Sequence, residues 1–241
     1  MGVPMASHLL EAGYEVRGYD ALRAARSRFP SSVGTLAEAA CDTVVLMLPD
    51  SAVVRQVLLM DGLFDALAPG SIVVDMSSSQ PTETRALAAH AEARGLEFVD
   101  APVSGGVRGA VEGTLTIMAG GSDAQFERVR PLLETIGGKV LHVGAVGAGH
   151  ALKALNNLLS GTTLLASAEA LLVGRRFGLD PRVMLDTINV STGRSWSTTC
   201  SRTGAATRLT CTVRPATPSR LLLAFLAICM TSLQWRHSAP L

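Results

Sequence analysis

Lysine is nearly absent from this 241-residue chain: of 21 basic residues only Lys139 and Lys153 are lysines. Acidic residues are missing altogether after Asp186, so the stretch from Trp196 onward carries five arginines and no acid. The remainder holds 16 basic against 20 acidic residues, and the whole chain is close to neutral at +1. A balance of that size gives no footprint for nucleic acid or an acidic membrane surface. The four cysteines (Cys41, Cys200, Cys211, Cys229) fit no zinc-ligand spacing, no His-Glu-x-x-His is present, and nothing resembles a disulfide framework. Metal chemistry is therefore not expected. No secretory leader is expected in this stretch either, since His8 and Glu11 interrupt its first apolar run. The longest late apolar run, Leu221 to Leu233, falls short of the roughly 20 residues that span a bilayer. These absences predict an intracellular, soluble body.

What is present is enough apolar sequence, 48%, for one or two packed domains. Runs at 43–49, 71–78, 96–106, 114–121 and 139–144 read as strands, several continuously apolar, as befits parallel strands covered on both faces. Helical patterns lie between them at Ser51 to Met60, Pro81 to Arg94 and Ser122 to Ile136. The alternation predicts an α/β fold, a Rossmann-like doubly wound parallel sheet, over 1–146. From 147 to 196 the texture becomes helical, with one long helix closed by Gly178 and another capped by Asp180 and opened by Pro181, the start of an all-α domain. Residues 197–241 follow no amphipathic period, and their abrupt change of composition suggests translation in a shifted frame. A disordered linker and a nucleic-acid-binding tail are the other readings of that stretch.

The opening stretch, MGVPMASHLLEAGYEVRGYD, reads as the second half of a dinucleotide-binding turn. Gly2 stands where the last glycine of G-x-G-x-x-G would stand. A helix follows with Met5, Leu9 and Leu10 on one face and Gly13 as its stop. A strand, Glu15 to Tyr19, then leads to Asp20, placed to bond an adenosine ribose. The first strand of such a fold and the first two glycines are missing.

Three sets of residues carry candidate chemistry. Lys153 sits near the apolar face of the long helix, in a chain that otherwise uses arginine for positive charge. A partly desolvated lysine can titrate where arginine stays charged, and Asn157 falls one turn along on the same face. The plainer reading of Lys153 is a surface lysine whose stem lies along the helix. Asp100 to Gly106, DAPVSGG, follows a strand, so Ser104 and the N–H groups of Gly105 and Gly106 could cradle a carboxylate; an ordinary glycine turn is equally consistent. Leu48-Pro49 and Ser77-Ser78 also end strands, on the sheet edge where an extended dinucleotide lies.

Taken together, MGVPMASHLLEAGYEVRGYD, MLP, DMSS, DAPVSGG, GTLTIMAGG, GAVGAGHALKALNN and STGRSW resemble the β-hydroxyacid dehydrogenases, and most closely those of the 3-hydroxyisobutyrate type. The matching pieces run in that family's order from Met1 to about Trp196. The resemblance implies a Rossmann-like domain, an all-α domain, and NAD(P)-dependent oxidation of a small β-hydroxyacid to its semialdehyde. It makes Lys153 the general acid/base, with Asn157 orienting substrate or lysine. Ser104, Gly105 and Gly106 would hold the substrate carboxylate, while Gly2, Asp20, Leu48, Pro49 and Ser78 would contact the cofactor. Asp20 favours NAD over NADP, because a carboxylate repels a 2′-phosphate. Homo-oligomers are implied, with the interface in the α domain. The family's first strand and the later helices of its α domain have no counterpart in the matched stretch, so weak or no activity is expected of this chain. A cytoplasmic location is expected, or a mitochondrial one if a transit peptide precedes Met1. Reduction of tartronate or succinic semialdehyde would use the same loops, 6-phosphogluconate oxidation would need more basic residues near Ser104 than Arg108, and a catalytically silent dinucleotide-binding or interaction module is the alternative outside enzymes.

Overall fold

The computed structural model describes residues 1–200; the stretch read as frame-shifted lies outside the described residues beyond Cys200. Two compact units divide the chain, Met1–Lys153 and a second from Ala154 onward.

The first unit is built on a six-stranded sheet: β1 (Thr43–Leu46), β2 (Ile72–Asp75), β3 (Glu97–Asp100), β4 (Val103–Ser104), β5 (Leu115–Gly120) and β6 (Gly137–Gly144). β1, β2 and β3 are parallel neighbours, and Leu46, Asp75 and Asp100 stand side by side at their carboxyl ends. β3 and β4 pair with the same edge of β5 in one unbroken antiparallel register, Asp100 with Gly120 and Val103 with Ile117, so they are one strand interrupted at Ala101-Pro102. β6 runs parallel to β5. The sheet is thus mixed, with β5 and β6 opposed to the first three strands, and it keeps the doubly wound covering of both faces.

That covering follows the two-residue period of strands. Ile72, Val74 and Val99 turn to one face, where Met5 and Leu9 of α1 (Gly2–Glu11) and Phe126, Val129 and Leu133 of α7 (Asp123–Ile136) bury them. Val73 and Phe98 turn to the other, against Val54 of α3 (Ser51–Arg55), Phe64 of α4 (Leu63–Ala66) and Leu87 of α5 (Pro81–Glu92). The helix expected at Ser51 to Met60 is present over that length, but its second half, Gln56–Met60, is a π turn. α7 starts at a capping box in which Ser122 and Gln125 satisfy each other's backbone N–H groups. The short α2 (Arg23–Arg26) and α6 (Gly106–Glu112) complete the unit.

One expected element is corrected. Glu15 to Tyr19 forms no strand; it makes only a single parallel bridge, Gly18 to Ser32. A strand exists through its ladder, and among the described residues neither β1, which pairs only with β2, nor any other strand supplies one to Glu15 to Tyr19.

α8 (Ala148–Arg176) runs from the first unit into the second and ends at Gly178, whose φ of +82° needs glycine. By length and composition alone it is also apolar enough to cross a membrane. α9 (Pro181–Asn189) is capped as expected by Asp180, which accepts the N–H groups of Arg182 and Val183. A final turn, α10 (Trp196–Cys200), carries order slightly past the point where the sequence period fades, with Ser195 bonded to Thr198 at its start.

Candidate functional site

Because Leu46, Asp75 and Asp100 are in register, the loops that follow them leave the sheet at one edge. Open α/β sheets bind ligands at such an edge. The first two loops are tied together: the Leu48 N–H donates to the Ser77 hydroxyl at 2.9 Å. Pro49 and Ser78, next along each loop, are exposed. Asp75, fully buried, accepts the Ser77 N–H at 3.0 Å and the Ser79 hydroxyl at 2.9 Å, and so shapes the turn that presents Ser78.

The third loop carries Ser104, half-buried in β4, followed by the exposed Gly105 and Gly106 with φ of +131° and +63°. Both glycines occupy the left-handed region that other residues avoid, so the turn they make is specified by sequence.

Asp100 connects this edge to the long helix. Its carboxylate is fully buried and accepts the Gly147 N–H at 2.6 Å and the His150 N–H at 2.7 Å. It thereby caps the first turn of α8 from a distant strand and places negative charge at the helix N-terminus, where the dipole favours it. Burial pushes the Asp100 carboxyl above the usual range, opposed by His150 and by the two backbone bonds. The approach is close enough to require glycine: a Cβ on Gly149 would strike the Met118 carbonyl and crowd Oδ2 and the backbone carbonyl of Asp100, and one on Gly120 would lie 2.5 Å from Asp100 Oδ1.

Lys153 follows one turn later. It is half-buried, and burial holds its amine below the ordinary lysine value. The other lysine, Lys139, is exposed on β6. Asn157 is exposed one further turn along the same helix, past the division between the two units.

The remaining expected contacts lie on other elements. Gly2 opens α1 and has open space where a Cβ would be. Asp20 is exposed; its carboxylate accepts the Leu22 N–H at 2.8 Å and its carbonyl accepts Arg26 at 2.7 Å. The structure therefore gathers Leu48, Ser77 and the start of α8 into one bonded edge, beside which Pro49 and Ser78 are exposed, while Gly2 and Asp20 sit in the N-terminal segment.

Sequence reading missed His150, which it counted among scattered histidines. The ring is fully buried, and Nε2 lies 3.0 Å from the Ser77 carbonyl, Nδ1 2.8 Å from the Thr84 hydroxyl. The available signal was its place between Gly149 and Lys153: on one helix, residues three apart share a face.

Ser78 and Pro49 are exposed on adjoining loops at this edge, and the N-terminal segment offers an exposed carboxylate at Asp20 and open space at Gly2. Residues 1–144 match the family described as the NAD binding domain of 6-phosphogluconate dehydrogenase. Residues 147–212 match the NAD-binding domain of NADP-dependent 3-hydroxyisobutyrate dehydrogenase. The chain is 41% identical to a 2-(hydroxymethyl)glutarate dehydrogenase of Eubacterium barkeri over 204 residues, covering 82% of this chain and 68% of that protein. It is 39% identical, with the same coverage, to an NAD-dependent L-serine dehydrogenase of Pseudomonas aeruginosa. Among solved structures it is similar to the 3-hydroxyisobutyrate dehydrogenase of Mycobacterium tuberculosis with L-serine, at 37% identity and a TM-score of 0.77, covering 82% of this chain and 69% of that one. The chain belongs to the β-hydroxyacid dehydrogenase family of NAD(P)-dependent oxidoreductases.

Proposed function

We propose that this enzyme oxidises a small β-hydroxyacid of the 3-hydroxyisobutyrate type to its semialdehyde, with Lys153 as general acid/base. NAD, when bound, supplies the acceptor for the hydride that leaves the carbinol carbon. The observation that carries the reading is the state of Lys153: a half-buried amine, lowered by burial, on a helix whose first turn is fastened to the end of β3. An amine so lowered is closer to the pH at which it can take the substrate hydroxyl proton at Nζ and return it in the reverse direction. Ser104 and the N–H groups of Gly105 and Gly106 hold the substrate carboxylate. Asn157, one turn from Lys153, orients the substrate hydroxyl or the amine. Gly2, Asp20, Leu48, Pro49 and Ser78 hold the cofactor, and the Asp20 carboxylate favours NAD because it would repel a 2′-phosphate. The enzyme acts in the cytoplasm.

Lys153→Arg keeps the charge and removes a usable proton acceptor. The variant is expected to lose about 10²- to 10⁴-fold in the rate of NADH formation while binding NAD as before. An unchanged rate would remove Lys153 from the chemistry.

A further inference from the structure

His150 joins all three strand-end loops to the helix of Lys153. Its Nε2 faces an acceptor-only carbonyl, that of Ser77, so Nε2 carries the proton and donates it. Nδ1 meets the Thr84 hydroxyl, which also lies 3.0 Å from the Gln80 carbonyl. Asp100 Oδ2 lies 3.6 Å from Nδ1 and Asp75 Oδ2 3.9 Å from Nε2, with all three side chains buried from solvent. Both ring nitrogens thus have oxygen partners, which makes the cluster a bonded network rather than a metal cage.

The network is directional in the fold. From Leu48 it passes through the Ser77 hydroxyl, and from the Ser77 carbonyl to the His150 ring. From Ser51 it passes through the Gln80 N–H and the Gln80 carbonyl to Thr84 and the same ring. From Asp100 it reaches the His150 and Gly147 N–H groups. The side chain of His150 is the point where the routes from β1 and β2 enter α8, three residues before Lys153. Asp100 fixes the helix start to β3 through hydrogen bonds to backbone N–H groups, with its Oδ2 3.6 Å from the His150 ring.

We infer that His150 is a positioning residue, which sets the place of Lys153 against the loops of Leu48-Pro49 and Ser77-Ser78. This rests on the reading of Lys153 as the acid/base group. A buried imidazole held at both nitrogens fixes the roll of the first turn of α8 about its axis, which two backbone bonds to one carboxylate leave less constrained. One ångström at the amine is enough to change its burial and the alignment of proton and hydride transfer.

The two-lysine composition supplies the test. Reductive methylation with ¹³C-formaldehyde labels Lys139, Lys153 and the amino terminus, and a Lys139→Arg variant assigns the spectrum. In the unaltered chain Lys153 should titrate below the ordinary lysine value. His150→Leu removes both ring contacts and should move Lys153 upward toward that value. His150→Gln can still donate to the Ser77 carbonyl and should restore the low titration. In single-turnover assays His150→Leu should slow NADH formation by about 10- to 100-fold, with NAD affinity little changed. A His150→Leu variant that melts earlier yet keeps the Lys153 titration and the rate would make His150 a packing residue and overturn the inference. If the leucine variant fails to fold, His150→Gln is compared with His150→Asn, which is too short to reach the Ser77 carbonyl; identical Lys153 titrations in the two would overturn it equally. The titration needs no turnover, so a failure of Lys153→Arg to lose activity would sink the acid/base reading and leave the positioning result standing.

Discussion

Asp100 and Lys153 are both held at a disadvantage by burial, and the consequences for stability have opposite signs in pH. The Asp100 carboxyl is raised, so between the usual value near 4 and its folded value the native state keeps a proton that the unfolded chain has released. Its contribution is therefore full at acid pH and falls as pH rises through that window. Asp100→Asn offers one oxygen to two N–H donors and leaves one of them facing an amide NH₂, which costs about 1–3 kcal/mol. Urea midpoints should show that loss at pH 7 and a wider gap toward pH 4; a gap that narrows on acidification would contradict the assignment. For Lys153 the lowered amine means that the unfolded chain holds the proton longer as pH rises, so stability increases from its folded value up to about 10.5. Lys153→Met keeps the stem and discards the penalty. It should melt higher than the parent at pH 7, with the advantage shrinking as pH rises toward about 10.5; a lower melting point at neutral pH would show that the amine is well solvated. Lys153 was legible because the chain has two lysines. Asp100 was legible as part of DAPVSGG but not as a helix cap, since its partners lie 47 and 50 residues away.

At the scale of elements, what could be read was what neighbours in sequence decide. Asp180 with Pro181, and Ser122 with Gln125, announce helix starts, and both caps form. Ser122→Ala should remove about 1 kcal/mol from the melting equilibrium without touching the sheet edge. Gly149→Ala should cost more, because the added Cβ meets the Met118 carbonyl and the Asp100 oxygens, which cannot yield without opening the cap; overpacking of this kind costs about 1–3 kcal/mol. Equal melting points for Gly149→Ala and Ser122→Ala would argue that the α8 start is loosely packed. Strand direction was not legible: β5 and β6 have the same apolar runs as β2, and nothing local tells that β5 returns antiparallel along the β3–β4 strand. Glu15 to Tyr19 has strand composition and still makes no ladder, because pairing is a property of the neighbour as much as of the segment.

For the molecule as a whole, the sequence placed a sheet with ligand loops at its carboxyl edge before a long helix that carries a titratable amine. The structure builds that arrangement through buried polar contacts, Asp75, Asp100, Thr84 and His150, which hydrophobic periodicity does not report. Membership of the β-hydroxyacid dehydrogenase family makes the chain an NAD(P)-dependent oxidoreductase, and the proposed function puts its chemistry at this edge: hydride to the nicotinamide, proton to Lys153. The most direct test mixes the protein in molar excess over NAD with 3-hydroxyisobutyrate and follows absorbance at 340 nm through a single turnover, so that even slow transfer is visible. The account predicts NADH formation that Lys153→Arg slows by at least about 10²-fold. NADH formed at the same rate by the arginine variant would contradict it.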